Sequence, residues 1–166
     1  MLLEVHQICR EDLFNPKPVH KLAKLIWDDD LACVAQGWAE QCTTGHDQRD
    51  NREIPGKYPQ RVGSTGQNAA FAWYKKGKTY NTEDLVWGWC DEQDQWQYNV
   101  GPKFDESEFP VGHFTQMVWE NTTHIGCGMA TCDDGGGWEM LTIVCNYGPP
   151  GNIGRPGEAK KKPYQA

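Results

Sequence analysis

The chain reads as an α+β layered domain, and three observations predict it. Segments with helical spacing fill the first part of the chain. Two β-like runs, 125–131 and 138–147, close it. No strand–helix–strand alternation of the kind that builds parallel sheets occurs between them. The 166 residues, 38% hydrophobic and 23% charged, suit one folded domain with a full core, and no internal repeat interrupts it.

Residues 2–12 predict a first helix, with His6 and Arg10 one turn apart on one face. Asn15-Pro16-Lys17-Pro18 ends it. Asp28, Asp29 and Asp30 supply an N-cap and first-turn carboxylates for a second helix. Behind them Leu31, Val34, Ala35, Trp38, Ala39 and Cys42 recur at helical spacing as one apolar stripe. Thr44 to Gly66 is polar and rich in charge, and reads as a long loop of the kind that often carries function. Residues 67–76 and 82–93 read as two further helices, the latter with Leu85, Val86, Trp89 and Cys90 on one side. Residues 97–111, broken by Gly101-Pro102 and Pro110, are irregular, and Gly112 to Trp119 is a short amphipathic segment. Asp133-Asp134-Gly135-Gly136-Gly137 signals a hairpin with a loop longer than two residues. Residues 148–166, rich in Gly, Pro and Lys, show no periodicity.

The net charge of −7 argues against nucleic-acid binding and against attraction to anionic membranes. No apolar run of about eighteen residues predicts a membrane span. Met1-Leu2-Leu3 is followed at once by Glu4 and His6, so no leader is read, and the chain is expected to be cytosolic or a mature form. The seven cysteines, Cys9, Cys33, Cys42, Cys90, Cys127, Cys132 and Cys145, favour the second. They are dispersed, without the close pairs of zinc ribbons or redox centres. An Asn-x-Thr acceptor stands at Asn121. Together these predict a secreted, extracellular protein. The odd count leaves at least one thiol free or intermolecular.

Three segments carry a resemblance. Leu25-Ile26-Trp27, Leu31-Ala32, Ala35, Trp38-Ala39 and Cys42 form the first. The second is Gly112-His113-Phe114-Thr115-Gln116-Met117-Val118-Trp119-Glu120-Asn121-Thr122. The third is Ile143-Val144-Cys145-Asn146-Tyr147-Gly148-Pro149-Pro150-Gly151-Asn152. In this order they resemble the CAP superfamily of cysteine-rich secretory, antigen five and pathogenesis-related class 1 proteins. The third segment looks most like fungal and plant secreted members. The resemblance implies a three-layer α-β-α sandwich with a small antiparallel sheet between helices, over residues 1–153, and an extended tail over 154–166. It implies pairing of Cys42 with Cys132 and of Cys127 with Cys145. Cys9, Cys33 and Cys90 remain, and Cys33 bonded to either of the others is an open alternative.

The family's shared cleft falls on His46, Glu92 and His113, with Gln67 where a Gly-Glu-Asn segment would place an acid. Two imidazoles can hold zinc or another divalent cation, each through one nitrogen. Gln67 can still accept a hydrogen bond but adds no charge, so weak metal binding through His46 and His113 is expected. Ser64 and Thr65 lie near Gly66, but neither a nucleophile elbow nor a metalloprotease helix is present. The reading leans away from catalysis and keeps a metal-dependent hydrolase as an alternative. The other plain reading makes His46, Glu92 and His113 a structural polar cluster.

Eight tryptophans is a high count. Trp27, Trp38 and Trp119 are read as core. Relatives bind sterols or fatty acids, and Trp96, Tyr98 and Phe104 match the aromatic spacing of the sterol loop, except that Phe104 comes one position late behind Lys103. The leading expectation is a carrier of a small hydrophobic ligand, a sterol or fatty acid, acting in lipid export, defence or host–pathogen contact, with an extracellular protein partner left open. A further alternative is a signalling-peptide precursor cleaved after Gly148.

Overall fold

A computed structural model describes residues 1–12, 16–58, 65–98, 111–153 and 162–166. The elements in chain order are α1 (Leu2–Glu11), β1 (Ile26–Trp27), α2 (Asp29–Ala39), β2 (Gly66–Lys75), α3 (Thr82–Asp91), α4 (Gly112–Met117), β3 (His124–Gly135) and β4 (Trp138–Gly148). Asp28 caps α2 by accepting from the amides of Asp30 and Leu31. Burial pushes this carboxyl up, but hydrogen bonds from Tyr58, Lys57 and the two amides outweigh it and lower it to about 2. Asn81 caps α3 by accepting from the Glu83 amide.

The sheet order is β1-β3-β4-β2. β3 and β4 form a hairpin whose strands run farther than the alternating pattern suggested. The long loop expected there is a tight Gly136-Gly137 turn, with φ of 58° and 83°. Positive φ at both central residues suits glycine and matches the strand twist. β1 pairs with β3 in parallel, Ile26 opposite His124 and Trp27 opposite Ile125, so the sheet is mixed rather than wholly antiparallel.

Residues 67–76 are not a helix. β2 pairs antiparallel with β4 in unbroken register, from Gly66 opposite Tyr147 to Lys75 opposite Trp138. Both faces of this strand are covered. Ala69 packs with Ala35, Ala39 and Val144, while Ala70 and Tyr74 pack on the opposite core. Small residues on both faces erase the alternation that marks a half-exposed strand.

The three layers follow. α2 lies on one face of the sheet, and α1, α3 and α4 lie on the other. The larger core joins Val5, Val86, Trp89, Phe114, Ile143 and Tyr147, all nearly or fully buried. On the α2 side, Gly126 and Gly128 admit the helix backbone. A Cβ on Gly126 would fall 2.1 Å from the Ala32 nitrogen, and one on Gly128 would fall 2.3 Å from Gln36 Cα.

Cys42–Cys132 and Cys127–Cys145 form as the resemblance implied. A third bridge, Cys9–Cys90, ties α1 to α3. Cys33 is free and exposed, and pairs with neither residue considered for it. It lies on α2, across the sheet from α1 and α3, so the sheet itself separates the thiols. Residues 162–166, expected as part of an extended tail, pack back on the body and bury Tyr164. Among the described residues no helix is long and apolar enough to cross a membrane.

Candidate functional site

His113 sits in the first turn of α4, and Glu92 follows directly on α3. His113 Nδ1 lies 2.6 Å from Glu92 Oε1, and Glu92 Oε2 accepts from the Phe114 amide at 3.0 Å. Both carboxylate oxygens are therefore committed, which fixes the ring. The imidazole also stacks on Trp89, centroids 5.6 Å apart and planes 18° apart. Trp89 and Glu92 are three residues apart and so share one side of the chain as it leaves α3.

His46 is exposed and lies shortly beyond the Cys42–Cys132 bridge. Its Nδ1 is 2.9 Å from Gln67 Oε1. The Gln67 amide nitrogen donates to Asp47 Oδ1 at 3.2 Å and to Asn146 Oδ1 at 2.9 Å. Two acceptors on the nitrogen side orient the amide, so its oxygen faces His46 and accepts from Nδ1–H. Burial pushes the Asp47 carboxyl up, against the opposing charge of Arg52, whose Nε lies 2.9 Å from Asp47 Oδ1. Sequence reasoning missed Asp47; its only signal was adjacency to His46.

The next residue of β2 serves the other histidine. Asn68 donates to the His113 carbonyl at 3.1 Å and to the Tyr147 hydroxyl at 3.0 Å. Successive strand residues face opposite sides of a sheet. Neighbouring residues of edge strand β2 therefore support His46 and His113 from opposite faces. Gly66 precedes them because α4 presses on the strand there: a Cβ would lie 2.0 Å from Gln116 Oε1.

Behind His113 lies a buried chain of polar groups the sequence reading did not foresee. Tyr147 meets His6 Nε2 at 2.7 Å, and His6 Nδ1 meets the Leu2 carbonyl at 2.7 Å. Arg10 donates to the carbonyls of Met117 and Trp119, so α1 holds the end of α4.

Chemically, His46 and His113 each spend Nδ1–H on an acceptor, which leaves the Nε2 lone pair for a ligand. Among the described residues no hydrogen bond engages either Nε2, and no group of three His, Cys, Asp or Glu is arranged to hold a metal ion. Two imidazoles fall short of the three or four ligands of a dedicated zinc site.

Trp96 is buried. Its ring packs 5.4 Å from both Phe114 and Tyr164 and 5.5 Å from Tyr98. Tyr98 is half-buried, and Phe104 lies outside the described residues. Asn121 is exposed between α4 and β3. An open groove of about 390 Å³ lies elsewhere, lined by Tyr74, Lys78, Tyr80, Met129, Thr131 and Leu141 among others. The sequence reading did not find it, because a helix over 67–76 does not bring Tyr74 alongside β3 and β4.

The cysteine-rich secretory protein (CAP) family model matches residues 3–147. The chain belongs to this family. It is 44% identical over 138 residues to venom allergen 5 of Vespula pensylvanica, covering 82% of this chain and 62% of that protein. To venom allergen 5.02 of Vespa crabro it is 41% identical over 137 residues, again covering 82% and 62%. The chain thus spans less than two thirds of the length of these relatives. Among solved structures, Schistosoma mansoni venom allergen-like protein 4 matches with a TM-score of 0.70 and 26% identity, over 99% of this chain and 92% of that one. NaASP2, solved with Zn²⁺, shares the fold at a TM-score of 0.71 and 22% identity, over 99% and 83%.

Proposed function

We propose that the protein is an extracellular, non-catalytic carrier of a small hydrophobic acid, a fatty acid in preference to a sterol. The observation that carries this reading is the groove between the β2–α3 loop and the sheet. The groove is open to solvent and measures about 390 Å³. Tyr80 and Met129 offer exposed apolar surface, at 40% and 37%, and Lys78 offers a cation for a carboxylate head. Lys75 rests over Trp138 and Lys76 pairs with Asp133, while Lys78 is exposed and lines the groove. Three disulfides and the secretory family support an extracellular setting. In that setting the carrier would serve lipid export, defence or contact with a host.

A fluorescent fatty acid titrated into the protein tests this. Saturable binding, displaced by unlabelled palmitate and weakened at least tenfold by Lys78→Glu, is expected; no retained fatty acid removes the reading.

A second reading, weak cation binding at His46 and His113, is favoured by their two Nε2 atoms and by the Zn²⁺ reported with NaASP2. Calorimetric titration with zinc tests it: heat lost in His113→Ala supports it, and heat unchanged sinks it. The hydrolase alternative would need this site together with a nucleophile. Of the two hydroxyls named for that role, Ser64 lies outside the described residues, and Thr65 donates to the Arg52 carbonyl. The peptide-precursor alternative gains little, because Gly148 is buried beneath Tyr58.

A further inference from the structure

We infer that Trp96, Tyr98 and the chain around them form a peptide-recognition pocket, and that Lys162–Ala166 is its displaceable resident ligand. This does not depend on the fatty-acid reading.

The body of the protein touches each of the five residues in turn. Lys162 Nζ lies 3.7 Å above the Tyr98 ring, a cation–π contact. The Pro163 carbonyl accepts from the Glu120 amide at 2.7 Å, and the Gln165 carbonyl accepts from the Val19 amide at 2.8 Å. Between them the Tyr164 side chain turns inward and is only 2% exposed. Its ring stands edge-on to Trp96 and tilted against Tyr98, and its hydroxyl donates to the Pro16 carbonyl at 3.0 Å. Tyr98 reads the backbone twice, donating to the Tyr164 carbonyl at 3.2 Å and accepting from the Ala166 amide at 2.8 Å.

This is how proteins bind extended peptides. One aromatic anchor fills a pocket, and the carbonyls of Pro163, Tyr164 and Gln165 all bond outward to the body. The contacts come from three separate places, residues 16–19, residues 96–98 and Glu120. The pocket therefore belongs to the body, and the segment is its guest.

Two observations mark the guest as displaceable. The last disulfide ends at Cys145, so no covalent bridge holds the segment that follows. And Trp96 Nε1, buried at the pocket, has no hydrogen-bond partner among the described residues. Buried donors are nearly always satisfied, so a peptide that brings an acceptor within reach of this nitrogen gains a bond that Lys162–Ala166 does not make.

The test uses a fluorescein-labelled peptide of residues 162–166, followed by anisotropy. The 166-residue chain carrying Tyr164→Ala, with its three disulfides confirmed by mass spectrometry, is expected to bind the peptide saturably. The unaltered chain is expected to bind at least tenfold more weakly, because its tethered copy competes at high effective concentration. A peptide with alanine in place of the tyrosine is expected not to bind. Equal affinity for the two proteins, or none for the folded variant, overturns the inference. Should Tyr164→Ala fail to fold, the unaltered chain with labelled alanine methyls carries the test. Excess unlabelled peptide is expected to move the Ala166 signal toward its free position, and an unmoved signal overturns the inference.

Discussion

His6 Nε2 and the Tyr147 hydroxyl, 141 positions apart in sequence, meet at 2.7 Å in the buried core. The partners around them settle which atom donates. His6 Nδ1–H donates to the Leu2 carbonyl, so Nε2 accepts from Tyr147. The Tyr147 oxygen in turn accepts from Asn68. Only a neutral imidazole fits this chain.

Acid should therefore loosen the fold through His6. Burial, helped by the charge of Arg10, lowers the imidazole from 6.5 to about 4. Between these values the unfolded chain binds the proton and the folded one does not, so stability falls as pH falls through the window. The contribution is intact above about pH 6.5, and about 3 kcal/mol is lost by about pH 4. His6→Gln keeps one donor and one acceptor but cannot titrate. Denaturant unfolding at several pH values should show a loss about 3 kcal/mol smaller in that variant over this window; equal pH slopes in the two proteins would count against the assignment.

Much of this frame could be read in the sequence, and the exceptions share a cause. α2 and the closing hairpin announced themselves because one face of each is apolar over a local repeat. β2 did not, since Ala69, Ala70 and Ala72 suit a helix by propensity, and only pairing with a strand some seventy residues later makes them a strand. The motif histidines were visible, and so was Gln67. Asp47 and the His6–Tyr147–Asn68 chain were not, because long-range polar partners leave no spacing signal. The Cys9–Cys90 bridge and the seat of Tyr164 were hidden for the same reason.

Restoring an acid at position 67 should harm this protein. Gln67 donates to Asp47 and to Asn146, and a glutamate would set a carboxylate against the buried Asp47 oxygen. Gln67→Glu is expected to cost about 1–2 kcal/mol at neutral pH, from the lost donor and the like charge. Both carboxyls would then be raised above their unfolded values, so the deficit should shrink as the pH is lowered. Paired denaturation curves at pH 7 and pH 5 check the sign.

The Cys9–Cys90 bridge closes 81 residues between α1 and α3. Loop entropy for a closure of this length predicts about 4.5 kcal/mol, within a usual range of about 2–5. Replacing both cysteines with alanine should lower stability by that order. Cys33→Ser should change it little, because that thiol is exposed and unpaired. Thiol counting on the unfolded, unreduced protein should find one free group.

Helix α2 comes closest to the sheet where β3 lacks side chains, at Gly126 and Gly128. A Cβ at Gly128 would fall 2.3 Å from the Gln36 nitrogen and Cα. Backbone cannot swing aside as a flexible side chain does, so the helix or the strand must shift as a whole. Gly128→Ala is expected to cost about 3 kcal/mol or more, at the upper end for overpacked cores. Gly37 supplies the contrast on the same helix, since a Cβ there meets nothing within 4 Å. Gly37→Ala should stabilise by about 0.5–1 kcal/mol through helix propensity alone. Thermal unfolding of the two variants should therefore move in opposite directions, and a neutral Gly128→Ala would mean that α2 does not approach the sheet this closely.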